Sequence, residues 1–181
     1  MTPTYKTRLE FWRDLPKGLV IAELGVFRAD HAMQIWALAE PTALYLVDQW
    51  RGLHTCCDSE YRNPCTIDLD AYYESDIQVL KDVPGLYVDR SEACEWLSQT
   101  RLRNIDVVYL DSDHDYAHIS REIELALNRI PTGGWVCGHD YNATHFRGVV
   151  RAVDELRAKY PDAEFRLSGE TLASWFLRIP A

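Results

Sequence analysis

Residues 19–27, L-V-I-A-E-L-G-V-F, decide the fold. Leu19 to Leu24 is an apolar run broken only by Glu23, the pattern of a strand buried on both faces. Gly25 follows at once, and a glycine after a strand lets the turn approach a ligand closely. A helical pattern from about Asp30 to Ala39 comes next, with Pro41 beyond its end. Ala43 to Val47 (A-L-Y-L-V) then reads as a second strand that finishes at Asp48. Strand, helix, strand is the unit of a parallel sheet with a crossover helix.

The same alternation extends along the whole chain. Upstream, Leu9, Trp12 and Leu15 predict a helix within residues 1–17, ended by Pro16 and Gly18. Downstream, Ile67 to Asp82 reads as a helix and Leu86 to Val88 as a short strand. Asp89 and Glu92 have the spacing of a capping box for a helix to about Thr100. Ile105 to Leu110 is a fourth strand, ending at Asp111. Ile119, Ile123, Leu127 and Ile130 mark an amphipathic helix. Trp135 to Gly138 is a fifth strand, ending at His139 and Asp140. Val149, Val153, Leu156 and Tyr160 give the next helix, which Pro161 stops. Phe165 to Leu167 and Leu172 to Ile179 close the chain as an antiparallel hairpin. The expected fold is α/β: a Rossmann-like, doubly wound, mostly parallel seven-stranded sheet with a C-terminal antiparallel hairpin. Residues 49–65 are expected to form a long loop, and such loops serve as lids or substrate-binding segments.

Composition narrows the function classes. Of 181 residues, 47% are hydrophobic and 26% charged, as in an ordinary globular protein. Nineteen Lys and Arg against 28 Asp and Glu leave a formal charge of −9. That excess disfavours nucleic acid and anionic membrane as partners. Five cysteines (Cys56, Cys57, Cys65, Cys94 and Cys137) are an odd number without C-x-x-C spacing, which fits a reducing, cytoplasmic setting. The charged N-terminal stretch shows no signal-peptide pattern. Self-association into a homo-oligomer stays open.

Acids stand at the carboxyl ends of successive strands: Glu23, Asp48, Asp89, Asp111 and Asp140. In open parallel sheets, ligands sit beyond those ends. The dinucleotide fingerprint G-x-G-x-x-G is absent, since Gly25 stands alone with Ala29 four residues later. Acids here repel a pyrophosphate but suit a nucleoside with a cationic tail. Asp48 is placed to accept hydrogen bonds from a ribose diol. S-adenosylmethionine has that shape.

Three segments carry a resemblance. The run from Val20 to Trp50, the stretch V-V-Y-L-D-S-D-H-D-Y (107–116) and P-T-G-G-W-V-C-G-H-D-Y-N (131–142) resemble class I S-adenosylmethionine-dependent methyltransferases. Within that class they look like the small-molecule O-methyltransferases that include the macrocin and catechol enzymes. The resemblance implies one methyltransferase domain over residues 1–181. It implies cofactor contacts from Glu23 and Gly25 at the methionine end, from Asp48 at the ribose, and from Trp50, Asp89 and Ser91 near the adenine. Asp111 matches an acid beside the methyl group. With His139 and Asp140 it matches the metal-binding group of metal-dependent members, for Mg²⁺ or another divalent cation. The sequence departs from the pattern where Ala29 replaces the usual second glycine, and at His139-Asp140, where two acids or amides are common.

The chemistry asks for a deprotonated hydroxyl on a small-molecule acceptor. A general base or a bound cation can supply that. His114, close after Asp111, is the candidate base. Each residue has a structural rival: Asp89 as a helix cap, Asp113 and Asp115 as helix-start acids, His118 as a surface histidine rather than a ligand. Trp36, Trp96, Trp135 and Trp175 read as core, and Trp50 fits core and site alike. His54 with Cys56, Cys57 and Cys65 has no usual zinc spacing. Two other functions remain open on the same sheet: a metal-dependent hydrolase or oxygenase using His114, His118, His139, Asp111 and Asp140, and a non-catalytic nucleotide-binding subunit.

Overall fold

In the computed structural model, residues 4–56 and 65–180 are described. Nine strands are recorded there: β1 (Val20–Leu24), β2 (Ala43–Val47), β3 (Leu53–Cys56), β4 (Cys65–Asp68), β5 (Leu86–Asp89), β6 (Val107–Leu110), β7 (Trp135–Tyr141), β8 (Phe165–Leu167) and β9 (Ala173–Arg178). Six α-helices accompany them: α1 (Arg8–Asp14), α2 (Asp30–Ala39), α3 (Leu69–Tyr72), α4 (Ala93–Gln99), α5 (Tyr116–Leu127) and α6 (Arg147–Lys159). Seven strands form one sheet in the order β5-β2-β1-β6-β7-β9-β8. β5, β2, β1, β6 and β7 are parallel, while β9 pairs antiparallel with both β7 and β8. This is the doubly wound sheet expected from the strand runs. The chain builds from β1 outward to β5, then returns to lay β6 on the other side of β1. The crevice at a topological switch point therefore opens between β1 and β6.

Alternate side chains of β1 feed two cores. Ile21 packs with Phe11, Trp12 and Ile35 of α1 and α2 on one face. Ala22 and Leu24 pack with Trp96, Leu97, Ile119, Ile123, Val149 and Val153 of α4 to α6 on the other. Burial on both faces is what selects near-continuous apolar strands in the centre of a parallel sheet. Glu23 falls on the α1/α2 face and is fully buried.

Several expectations need correction. The stretch 49–65 holds a hairpin edge rather than loop alone, because Leu53–Cys56 pairs antiparallel with Cys65–Asp68. Residues 57–64, including Cys57, lie outside the described residues. The helix expected over 67–82 is three short pieces: α3, a π-turn at Tyr73–Ile77 and a 3₁₀ segment at Gln78–Asp82. Apolar periodicity does not distinguish these windings. Glu92, not Asp89, caps α4, its carboxylate accepting from the Cys94 and Glu95 amides. β7 runs on to Tyr141 with a register shift after Gly138, so His139 and Asp140 belong to a bulged strand end. Asp115 caps α5, as a helix-start acid should. Trp96, Trp135 and Trp175 are buried in the core, and Trp36 is partly buried against it. No helix among the described residues is long and apolar enough to cross a membrane.

Candidate active site

Parallel register brings the strand-end residues to one rim. Leu24 lies between Val47 and Leu110, so Gly25, Asp48 and Asp111 emerge side by side. The Gly25 amide donates to Val47 O at 2.9 Å, and the Asp111 amide donates to Leu24 O at 2.7 Å. A Cβ on Gly25, whose φ is +87°, would stand 2.1 Å from the Asp111 carbonyl oxygen. Here the glycine is demanded by the neighbouring strand as well as by its conformation.

Two cavities meet at this rim, sharing Gly25, Phe27, Asp111 and His114. The first, of about 350 Å³, is lined by Asp48, Trp50, Ser91, Glu92 and His118 among others. Asp48 accepts from the Phe27 amide through Oδ2 at 2.9 Å and from the Trp50 amide through Oδ1 at 3.0 Å. Each oxygen keeps lone-pair capacity for a further donor. Trp50 is fully buried, its indole N–H donating to Phe27 O at 2.7 Å, so it is both core and cavity wall. Ser91 reaches the cavity, whereas the exposed Asp89 stands outside this lining and accepts from Ser91 Oγ at 2.7 Å.

The second cavity, of about 420 Å³, is lined by Arg8, Glu23, His31, His139, Asp140 and Phe146 among others. The Trp12 indole donates to His31 Nε2 at 3.0 Å. Indole is a donor only, so the His31 proton sits on Nδ1, which donates to Glu23 Oε1 at 2.7 Å. Burial, helped by Arg8 and His139, holds His31 well below its ordinary pKa and keeps it neutral. Glu23 Oε2 is buried without a hydrogen-bond partner among the described residues. Burial pushes this carboxyl up to about 8, against the lowering influence of Arg8. Burial likewise pushes Asp111 up to about 7, with His139 opposing and Asp140 reinforcing the rise.

His114 and His139 converge on Asp140. His114 Nε2 is 2.6 Å from Asp140 Oδ2, and His139 Nδ1 is 3.2 Å from Asp140 Oδ1 and 3.7 Å from Asp111 Oδ1. Burial works against the Asp140 charge, but the two histidines outweigh it and hold the carboxyl well below its usual range. The Asp140 bond raises His114 above the ordinary imidazole value, although burial opposes it. The His114 ring also stacks on Phe146, with centroids 4.4 Å apart. One ligand atom each from Asp111, His139 and Asp140 lies within 4.8 Å of the others. Asp140 Oδ1 is buried and faces His139 Nδ1 at 3.2 Å, with lone-pair capacity left for a cation.

Backbone strain is gathered here too. Phe27, Ala29, Trp50 and Asp140 all have positive φ (51°, 62°, 41° and 59°). Such residues persist where the surroundings over-determine them, often at ligand sites. Ala29 thus keeps the left-handed turn although it is not glycine.

The sequence reading missed Arg8, His31 and Glu170. Glu170 accepts from the Arg8 amide at 2.9 Å. Burial works against the Arg8 charge, and Tyr109, Asp111 and Glu170 more than offset it. A histidine in the first turn of α2 was the one available signal. Arg8 gave none.

The family model of a methyltransferase domain matches residues 23–141, the segment that carries every strand-end acid described above. The chain belongs to this methyltransferase family. S-adenosylmethionine is the family's cofactor, and the enzyme is an S-adenosylmethionine-dependent methyltransferase. The orphaned Glu23 oxygen, the spare acceptor capacity of Asp48 and the acidic rim suit an adenosine with a cationic tail. No curated protein sequence matches the chain significantly. Among solved structures it is similar to a spermidine synthase from Thermotoga maritima (TM-score 0.60, 13% identity, 96% of this chain and 57% of that one). An N-methyltransferase from Bradyrhizobium japonicum has a TM-score of 0.62 and 10% identity, over 96% of this chain and 93% of that one. An O-methyltransferase family protein from Burkholderia thailandensis has a TM-score of 0.63 and 9% identity, over 96% and 55%. The chain therefore spans just over half the length of two of these. Three acceptor chemistries on one sheet show that the fold does not choose the acceptor.

Proposed function

We propose that the methyltransferase acts on a hydroxyl of a small molecule, with His114 as general base and a divalent cation on Asp111, His139 and Asp140. The observation that carries this reading is the place of Asp111 and His114, on the wall common to both cavities. A nucleoside held at Asp48 and an acceptor entering past Arg8 and Phe146 would meet there. When bound, S-adenosylmethionine supplies an electrophilic methyl group.

Asp48 would hold the ribose hydroxyls, and Glu23 Oε2 the ammonium of the methionine end. Ser91 and Trp50 would border the base, while the exposed Asp89 acts through Ser91. An alcohol is a weak nucleophile at neutral pH, so the protein must take its proton. With Nε2–H donated to the ionised Asp140, His114 accepts that proton at Nδ1. The Asp140 charge stabilises the resulting imidazolium and makes the ring a stronger base. A cation held by Asp111, Asp140 and His139 would lower the hydroxyl's proton affinity further. Carboxylates suit Mg²⁺ or Mn²⁺, and the imidazole shifts preference toward Mn²⁺ or Fe²⁺. The charge of −9 and the acidic rim favour a small acceptor over nucleic acid.

Calorimetric titration with S-adenosylhomocysteine, paired with methyl transfer to a panel of hydroxylated small molecules, tests the reading. Binding that Asp48→Ala abolishes, with turnover of at least one hydroxyl acceptor, supports it. Binding with transfer only to amines or to nucleic acid overturns the acceptor class.

A further inference from the structure

The start of α4 and the first two turns of α5 bring together four side chains that the methyl-transfer reading does not use: Glu92, Cys94, His118 and Glu122. His118 Nε2 is 3.0 Å from Glu92 Oε1, 3.3 Å from Glu122 Oε1 and 3.8 Å from Cys94 Sγ. One ring nitrogen faces two carboxylates and a thiol, and a single N–H can serve only one of them. Each of the four residues offers one ligand atom, and these atoms all lie within 4.8 Å of one another. Glu122 is fully buried, and its Oε2 has no hydrogen-bond partner among the described residues. A buried carboxylate oxygen left unpaired is costly, and a cation would satisfy it.

The backbone supports the cluster from both sides. His118 and Glu122 are four residues apart on α5, so they share a face, the spacing by which helices commonly present two metal ligands. Glu92 and Cys94 stand at the capped start of α4, fixed by the amide bonds to Glu92. Asp113 Oδ2 lies 3.9 Å from His118 Nδ1, on the far side of the ring, where a second acid would orient a metal-bound imidazole. Glu92 and His118 line the first cavity and are partly exposed, which gives an ion a way in.

We propose that Glu92, Cys94, His118 and Glu122 form a four-ligand site for Zn²⁺, separate from Asp111, His139 and Asp140. One sulfur, one imidazole nitrogen and two carboxylate oxygens make a borderline-soft set that suits Zn²⁺ or Co²⁺ better than Mg²⁺. On binding, the Cys94 S–H bond breaks and its electron pair forms the metal–sulfur bond. The proton goes to water, and no redox change occurs. The site fastens α4 to α5 at the cavity wall. It does not depend on the identity of the acceptor.

Cobalt reads this directly. In full-length protein carrying Cys56→Ser, Cys57→Ser and Cys65→Ser, stripped with chelator, one equivalent of Co²⁺ is expected to produce a thiolate-to-cobalt charge-transfer band. Zn²⁺ should bleach it. Cys94→Ala should remove the band, and His118→Ala should weaken Co²⁺ binding at least tenfold, with circular dichroism confirming that both variants fold. Asp140→Asn should leave the band in place. No band in the parent protein, or a band that survives Cys94→Ala, overturns the proposal.

Discussion

His114 Nε2 and Asp140 Oδ2 stand 2.6 Å apart, a hydrogen bond that joins the loop after β6 to the bulged end of β7. The geometry requires both elements to keep their places. Asp140 itself sits at a φ of 59°, which an aspartate tolerates better than most residues. If this pair moves a proton in the reaction, His114→Ala should lower kcat by roughly 10²- to 10⁴-fold, the usual contribution of a positioned base. Affinity for S-adenosylhomocysteine should change much less. Equal losses in turnover and affinity, measured by steady-state kinetics and calorimetry, would assign His114 a structural role.

Gly25 offers a test of the rim itself. With φ at +87° and the Asp111 carbonyl 2.1 Å from an added Cβ, Gly25→Ala must push β1 and β6 apart or twist the turn. A loss of about 3 kcal/mol in urea denaturation is expected, the range of overpacking combined with backbone strain. A loss below about 1 kcal/mol would mean the turn is softer than its geometry indicates.

Stability should fall with rising pH in chelated, cofactor-free buffer. Glu23 is pushed up to about 8 and Asp111 to about 7, while carboxyls of an unfolded chain titrate near ~4. The folded state therefore retains protons that the unfolded state releases between those values. The associated stability is complete below pH ~4 and is lost as pH rises through 7 to 8. Urea midpoints across this window should decline, and Glu23→Gln should flatten the decline. His31, held neutral by burial, pulls the other way as pH rises through the ordinary imidazole range. The test is therefore the difference between variants: a pH dependence that Glu23→Gln leaves unchanged would show that Glu23 is ionised in the folded protein. Binding of a cationic ligand at neutral pH should release up to one proton from Glu23, measurable by calorimetry in buffers of different ionisation enthalpy.

Metal removal separates the two acids from the base. Exhaustive chelation should depress methyl transfer, with Mn²⁺ or Mg²⁺ restoring it. His139→Ala should raise the cation concentration needed for half-maximal rate. Full activity after chelation would leave His114 to act without a cation.

The apolar runs and the acids that end them made the sheet legible from sequence. A strand buried on both faces leaves little choice of residue, and Glu23, Asp48 and Asp111 interrupt that pattern visibly. The β3–β4 hairpin was not legible, because four-residue strands such as L-H-T-C and C-T-I-D are too short and polar to show alternation. Asp89 and Glu92 both fit a cap by spacing, and only the amide directions decide for Glu92. His118 read as a surface residue because its partners Glu92 and Cys94 come from another helix. Arg8 and His31 were hidden for the same reason: their importance comes from a contact between α1 and the β1 face that no local pattern encodes.

The Trp12–His31–Glu23 relay gives the first helix an office beyond covering the sheet. By fixing which imidazole nitrogen carries the proton, an indole on α1 dictates that Glu23 receives a hydrogen rather than a lone pair. A protease nick, or a fusion that levers α1 away, would therefore act as a dimmer on cofactor capture while leaving every strand-end carboxylate chemically intact.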